Sequence, residues 1–385
     1  MTAPRFQMVV WELTLRCNLA CGHCGSRAGK ARVEELSTAE ALAVVRQLAE
    51  LDVREVALIG GEAYLRDDWD IIAEAITRHG IYCSMVTGGR GLDAEVARRA
   101  KRAGVVNVAV SLDGLEAAHD QQRGVAGSFQ AARAALEHLR QARVPVSVNT
   151  QINHLSLPDL EALLELVLEE QIWAWGVQLT VAMGRAADHP DWLLQPYELL
   201  DLFPRLARLK DRCDQARVTF ATGNNIGYFG PYERLFRGGA GGTGYWDGCS
   251  AGVQTLGLEA DGTFKGCPSL PTTAYAGGNV RDRPLRELLE TGPLRYTRDR
   301  TVADLWGFCR DCYYADVCRA GCTWTSHVLF GRPGNNPYCH HRALQLQRQG
   351  LRERLTPVEA PPGLPFDHGR FTLTVEPVPS QEIAP

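Results

Sequence analysis

Nowhere in the 385 residues is there an apolar run of about eighteen, the length a membrane-spanning helix needs. The N-terminal stretch MTAPRFQMVVWELTLRC also lacks a long apolar segment followed by a small-residue cleavage site. These two absences set aside a membrane or secreted protein and predict a cytoplasmic one. Charge of one sign is missing too: 41 Lys and Arg against 45 Asp and Glu leave a formal charge of −4 and a pI near 6.2. That balance excludes a general nucleic-acid or membrane-surface binder. The one basic run, ARRAKRAG at 97–104, reads as the solvated face of a helix. With 45% hydrophobic and 22% charged residues, the chain is neither disordered nor collagen-like. Its length suits one large domain with a smaller appendage.

What the chain does have is cysteine. Twelve are present, and in a reducing compartment clustered cysteines argue for metal or catalytic use rather than disulfides. Residues 17–24 read CNLACGHC, which places Cys17, Cys21 and Cys24 within eight positions. Three thiols are one too few for a closed four-ligand site. Zinc with three cysteines and a histidine is one reading, but His23 adjoins Cys24, and a sequence neighbour seldom reaches the same metal from the correct direction. A [4Fe–4S] cube on three thiolates instead keeps one iron free of protein ligands, and Gly22 and Gly25 let the backbone curl around it.

Apolar β-branched runs at 8–14, 55–61, 81–87, 106–113, 144–152 and 174–181 alternate with stretches of helical periodicity such as 38–51, 69–80 and 157–170. Six strands, each followed by a helix, predict a parallel α/β sheet. Such a sheet is either open and doubly wound or three-quarters of a barrel, and the pattern alone does not choose. Polar and glycine residues gather at the strand ends: GGE at 60–62, TGG at 87–89, SLDG at 111–114 and NTQ at 149–151. Both architectures put the active site there. After a further helical segment at 190–215 and a glycine-rich connector at 237–249, the chain turns to short strands, with a hairpin signal at Asp261-Gly262. From about 356 it is Pro-rich and reads as a surface or partly disordered tail.

The C-x3-C-x2-C loop after the first strand, with GGE after the second, SLDG after the fourth and RGVAGSF at 123–129, resembles the signature of radical S-adenosylmethionine enzymes. The resemblance covers residues 8 to about 181 and implies a partial (β/α)6 barrel. It implies that Cys17, Cys21 and Cys24 hold a catalytic cube whose open iron chelates S-adenosylmethionine. Reductive cleavage would then give a 5′-deoxyadenosyl radical that abstracts hydrogen from a substrate carbon. It further implies that His23 is the aromatic position of the motif and that Gly60, Gly61 and Glu62 contact the methionine ammonium. Ser111 and Arg123 would contact the ribose and carboxylate. No catalytic acid or base is singled out.

Downstream, Cys249, Cys267, Cys309, Cys312, Cys318, Cys322 and Cys339 are similar in spacing to the SPASM domain of peptide-maturing enzymes. The resemblance implies two auxiliary [4Fe–4S] clusters, one on Cys309, Cys312, Cys318 and Cys339, the other on Cys249, Cys267 and Cys322. A zinc ribbon is the alternative. The three-thiol auxiliary cluster has an open position that Asp247, His340 or His341 would be placed to close. Cys83 reads as a core residue and Cys213 as a helix-surface one. The implied organisation is a radical SAM barrel at 1–235, a SPASM domain at 236–355 and a tail at 356–385. The expected function is hydrogen abstraction from a peptide, giving a crosslink, epimer or oxidised side chain. Small-molecule or cofactor biosynthesis by the same radical is the alternative, and an electron-transfer or zinc-structural protein is the reading from another class. Expected partners are a peptide, a separate leader-binding protein, and a reductant such as flavodoxin or ferredoxin, with no nucleic acid and no membrane.

Overall fold

The computed structural model describes residues 6–238 and 243–379. The N-terminal five residues, part of the glycine-rich connector and the end of the Pro-rich tail therefore lie outside the described residues. All six expected strands form: β1 (Met8–Glu12), β2 (Glu55–Ile59), β3 (Tyr82–Thr87), β4 (Asn107–Ser111), β5 (Val146–Ile152) and β6 (Ala174–Leu179). They pair in chain order and parallel. The crossovers are α1 (Thr38–Glu50), α2 (Trp69–Arg78), α3 (Ala94–Arg102), α4 (Glu116–Arg123), α5 (Ser128–Gln141), α6 (Leu160–Glu169) and α7 (Leu199–Gln215). Most pack an apolar stripe on the sheet, as Ala41, Val44, Val45 and Leu48 of α1 do, whereas α4 buries His119, Gln122 and Arg123. The start of α1 is fixed by a capping box between Ser37 and Glu40.

The sheet extends beyond the expected six strands. A short β7 (Thr219–Thr222) adds parallel to β6. At the other edge β8 (Thr255–Leu258) pairs parallel with β1, and β9 (Thr263–Lys265) and β10 (Ala276–Asn279) follow antiparallel, giving the order β10-β9-β8-β1-β2-β3-β4-β5-β6-β7. The expected Asp261-Gly262 hairpin is the β8–β9 connection. The cysteine-rich segment is thus hydrogen-bonded to the first barrel strand, and Cys249 and Cys267 flank the β8–β9 hairpin, whose first strand pairs with β1.

Two expectations are corrected. Cys213 is fully buried, because it continues the stripe Leu199, Leu202, Phe203, Leu206 and Leu209 of α7. The Pro-rich stretch does not trail free: β11 (Leu351–Glu359) and β12 (Arg370–Pro377) form a two-stranded antiparallel ribbon. Pro357 is tolerated there because a ribbon strand has an unpaired edge. The basic run lies on α3, which buries Ala97 and Ala100 and exposes Arg98 and Arg102, while Arg99 pairs with Asp70 over the Trp69 ring. Among the described residues no helix is long and apolar enough to cross a membrane.

The joint between β1 and β8 holds a buried charge network. Arg32 bonds Glu12 at 3.1 Å and Glu259 at 2.9 Å, and the fully buried Lys265 reaches Glu259 at 2.7 Å. Burial, reinforced by Glu259 and opposed by Arg32 and Lys265, lifts the Glu12 carboxyl from its ordinary 4.5 to about 7. Between these two values the unfolded chain holds fewer protons than the native one, so Glu12 makes stability fall as pH rises through that window. Glu12→Gln removes the titration. In anaerobic urea unfolding, the midpoint of the variant relative to the parent is expected to move in the variant's favour between pH 4.5 and about 7. An offset independent of pH would refute the assignment.

Candidate active site

The strand C-termini open into one cavity of about 380 Å³, lined among others by Cys17, Cys21, Cys24, Glu62, Ser111 and Arg123. The cysteine loop leaves β1 and is held from two sides. Carbonyls at the end of α4 accept from it, Gln122 O from Gly22 N (2.8 Å) and Arg123 O from Ala20 N (3.1 Å). Across the loop, Arg185 donates Nε to Cys21 O (2.7 Å) and Nη2 to Ala28 O (2.9 Å). The sulfurs receive donors of their own: Leu19 N to Cys17 (3.4 Å), Ala28 N to Cys24 (3.4 Å) and Arg123 Nη1 to Cys21 (3.7 Å). Burial and the neighbouring Glu62 push the Cys17 thiol up to about 12, and burial raises Cys21.

The GGE turn has a steric reason. Gly61 N bonds Thr14 O and Glu62 N bonds Arg16 O as the chain leaving β2 runs against the exit of β1. A Cβ on Gly61 would lie 2.1 Å from Arg16 O and 2.8 Å from Cys17 Cβ, so a side chain there would displace the cysteine loop. Glu62 is 1% exposed, accepts from Gly88 N at 2.7 Å and from the Thr87 hydroxyl, and is raised to about 7 by burial. A buried carboxylate lifted this far is stabilised as an anion by an added cation, such as an ammonium.

Arg123 is buried and pairs with the fully buried Asp113. Burial opposes ionisation of Asp113, but Arg123, His23 and His119 hold its carboxyl below the usual range. His23 lies 3.4 Å from Asp113, is lowered to about 4 by burial, and is therefore neutral. Ser111 lies at the end of β4 on the cavity wall. His23 Nδ1, Asn18 Oδ1 and Arg123 Nε are buried here without a partner.

Among the described residues no group of three or more His, Cys, Asp or Glu side chains is disposed to hold a single metal ion. An iron–sulfur cube takes one thiolate per iron, and its thiolates accept N–H bonds of the kind made to Cys17 and Cys24. The donor set fits such a cluster.

Several of the C-terminal thiols lie close enough to one another to raise each other's pKa. Cys267 is raised to about 12 and Cys322 to about 11, in each case by burial and then by Cys249. Cys318 is raised by burial and by Cys339, Cys309 and Cys312, and Cys339, at about 12, also feels Cys309. His340 is turned elsewhere, stacked 4.4 Å from Phe203, and His341 is edge-on to Tyr314.

Several residues of the site escaped sequence reasoning. Thr87 and Gly88 on the cavity wall, and Asp113 buried behind Arg123, stood inside stretches whose polarity was visible. Arg185, Trp324 and Phe366 carried no local signal.

A parallel α/β barrel with a three-thiol loop, a Gly-Gly-Glu turn and two further thiol groups defines an iron–sulfur enzyme. The Radical SAM superfamily model matches residues 11–170. An AdoMet-dependent heme synthase of Methanosarcina barkeri is 31% identical over 88% of this chain and 97% of its own. Mycofactocin maturase MftC of Mycobacterium ulcerans is 31% identical over 86% and 87%. In fold, anSMEcpe with bound AdoMet and a peptide superposes at TM-score 0.68, with 18% identity, covering 89% of this chain and 95% of that one. SuiB of Streptococcus suis bound to S-adenosylmethionine gives 0.66, with 16% identity, over 84% and 74%. The chain belongs to the radical SAM superfamily, and is an enzyme that uses S-adenosylmethionine and iron–sulfur chemistry.

Proposed function

We propose that this enzyme abstracts a hydrogen atom from a side chain of a peptide, leading to a crosslink, an epimer or an oxidised residue. Cys17, Cys21 and Cys24 would hold the catalytic cluster. Glu62 would take the methionine ammonium of S-adenosylmethionine, Arg123 its carboxylate and Ser111 its ribose, with Gly60, Gly61 and His23 shaping the site. When bound together, cluster and S-adenosylmethionine supply a 5′-deoxyadenosyl radical. The chain's own part is to place and enclose it. Arg185 and the end of α4 fix the cysteine loop, Asp113 orients Arg123, and the strand ends wall off water.

Cys309, Cys312, Cys318 and Cys339 would hold one auxiliary cluster, and Cys249, Cys267 and Cys322 another that lies nearer the chamber, since Pro268 and Ser269 line it. The functional units would be a barrel at 1–235, an auxiliary-cluster segment at 236–355 and the ribbon segment from 356. A flavodoxin- or ferredoxin-like reductant, a separate leader-binding protein and a cytoplasmic setting complete the proposal.

The observation that carries the reading is the size of the cavity. About 380 Å³ is the volume of one drug-sized ligand. The cluster and S-adenosylmethionine would share that space, so a substrate would present a protruding group to it rather than enter whole. A peptide side chain meets that limit. The propionate arm of an iron tetrapyrrole meets it as well, and the likeness to a heme synthase across 97% of that protein favours this second reading.

The test is anaerobic turnover of the reconstituted, reduced enzyme with S-adenosylmethionine, offered in parallel a short peptide encoded beside its gene and iron coproporphyrin. The expected result is 5′-deoxyadenosine in step with a mass change in the peptide. Porphyrin conversion with an unchanged peptide would install the second reading.

A further inference from the structure

The tip of the C-terminal ribbon, between β11 and β12, reaches back across the barrel to the cysteine loop. Phe366 N donates to Gly25 O at 3.0 Å, and Gly184 N donates to Asp367 O at 2.8 Å. Asp367 does most of the fastening. Its Oδ1 accepts from Arg27 Nε at 2.8 Å, and its Oδ2 from the backbone of Gly363 and Leu364. Arg27, three residues beyond Cys24, also grips Asp188 at 2.7 Å.

The Phe366 side chain takes no part in that hold. It lines the same cavity as the three thiols and Glu62 and is 9% exposed. It packs with Val181, Met183, Val328 and Trp324, and the indole donates to the Met183 sulfur at 2.9 Å. The Lys265 ammonium sits 3.8 Å from the centre of its ring. The backbone of Phe366 is left-handed, with φ of +58°, a conformation rare for a bulky residue and easy for glycine. The fold therefore spends an unfavourable backbone conformation to aim a ring into the chamber.

We propose that Phe366 is a specificity-determining residue: with Trp324 and Met183 it forms the apolar face on which the reacting side chain of the substrate lies, and its ring sets how large a group reaches the radical. This rests on the radical reading above and adds the residue that filters the substrate. Because Asp367 and backbone groups dock the tip, truncating Phe366 is expected to open space without releasing the ribbon.

The experiment uses the reconstituted holoenzyme loaded with S-adenosylmethionine and small hydrogen donors in place of the unidentified substrate. The donors are perdeuterated 2-propanol and 4-methylphenol deuterated at the methyl group. Under dithionite with methyl viologen as mediator, transfer breaks a C–D bond of the donor and forms one at the 5′ carbon. The donor radical left behind gives one electron to the viologen dication and one proton to water, leaving acetone from 2-propanol and, from 4-methylphenol, a quinone methide that adds water. Deuterium in 5′-deoxyadenosine is read by mass spectrometry. Without reductant, 4-methylphenol binding is read by ligand-observed NMR.

The parent is expected to accept deuterium from 2-propanol and little from 4-methylphenol. Phe366→Ala should raise the 4-methylphenol fraction by about tenfold and tighten its binding, and Phe366→Trp should lower transfer from both donors. Leu364→Ala, on the exposed side of the same tip, should match the parent. If the alanine variant fails to load iron, Phe366→Leu carries the same prediction in smaller measure. Equal 4-methylphenol fractions in parent and Phe366→Ala would overturn the proposal. Absence of 5′-deoxyadenosine from every protein would instead defeat the radical reading. The binding arm then decides alone, and 4-methylphenol bound equally by parent and variant would remove Phe366 from the chamber wall.

Discussion

With Cys17, Cys21 and Cys24 all replaced by alanine, 5′-deoxyadenosine formation is expected to fall below detection while the iron held by the C-terminal cysteines stays in place. The separation follows from the architecture. The cysteine loop is anchored by backbone bonds to Gln122 and Arg123 and by Arg185, none of which uses a sulfur, so the barrel mouth keeps its shape when the thiols go. The auxiliary thiols lie in segments beyond β7, around helices Ala315–Cys318 and Thr323–Phe330. Anaerobic turnover with iron and sulfide analysis checks both halves. Reductive cleavage persisting in the triple variant would show that the catalytic iron is held elsewhere.

Glu62 belongs to the same expectation at smaller scale. It is buried in the chamber and accepts from Thr87 and Gly88, with Tyr64 and the charge of Arg123 also working against the burial that raises its carboxyl. An ammonium brought by a ligand, as that of S-adenosylmethionine would be, is expected to stabilise its charged form further.

Much of this site is visible in sequence because it is local. Three cysteines in eight residues, a Gly-Gly-Glu turn at a strand end and a run of parallel-sheet strands each carry their signal in a short window. The steric demand at Gly61 explains why the turn is readable at all: nothing larger passes the exit of β1. The sorting of seven C-terminal thiols into groups of three and four is implied by the resemblance to the SPASM domain and not by the spacing alone.

The remainder depends on contacts between distant residues. Asp113 becomes part of the site only when α4 folds back and brings Arg123 to it. Arg185 reaches the cysteine loop from 164 positions away. β7 is four residues of mixed polarity, too short for alternation to show. The C-terminal ribbon was hidden by composition, since prolines that mark a free tail in most contexts here sit at ribbon edges and in its tip. Cys213 looked exposed among charged neighbours in KDRCDQ, yet its spacing from Leu206 and Leu209 puts it on the apolar stripe of α7.

The second large effect concerns the four-thiol group. Replacing Cys312 and Cys318 by alanine is expected to lower bound iron from about twelve to about eight atoms per chain, as the loss of one cube requires. It should also make residues 302–321 sensitive to protease. The physical ground is the poverty of that segment. Its own apolar cluster is Leu305, Ala315 and Ala320, and the helix between the two altered cysteines and their partners is four residues long. A core this small does not hold a fold unaided, and in such segments metal binding is folding energy. The flanking residues are fastened to the body of the protein, Tyr338 by its hydroxyl to Leu194 O at 2.6 Å and Trp324 by its indole to the Met183 sulfur at 2.9 Å. Between 302 and 321 the hold is weaker, with bonds such as Trp306 Nε1 to Pro333 O at 2.9 Å, so the loosening is expected there. The catalytic cluster, bound across the sheet, should persist, and 5′-deoxyadenosine should still form while product does not, because electrons no longer pass through the C-terminal segment. Iron, sulfide and zinc analysis with limited proteolysis decides the matter. Unchanged iron in the variant, or one to two zinc atoms lost in place of four irons, would make the segment a structural zinc ribbon and leave the barrel to do the chemistry alone.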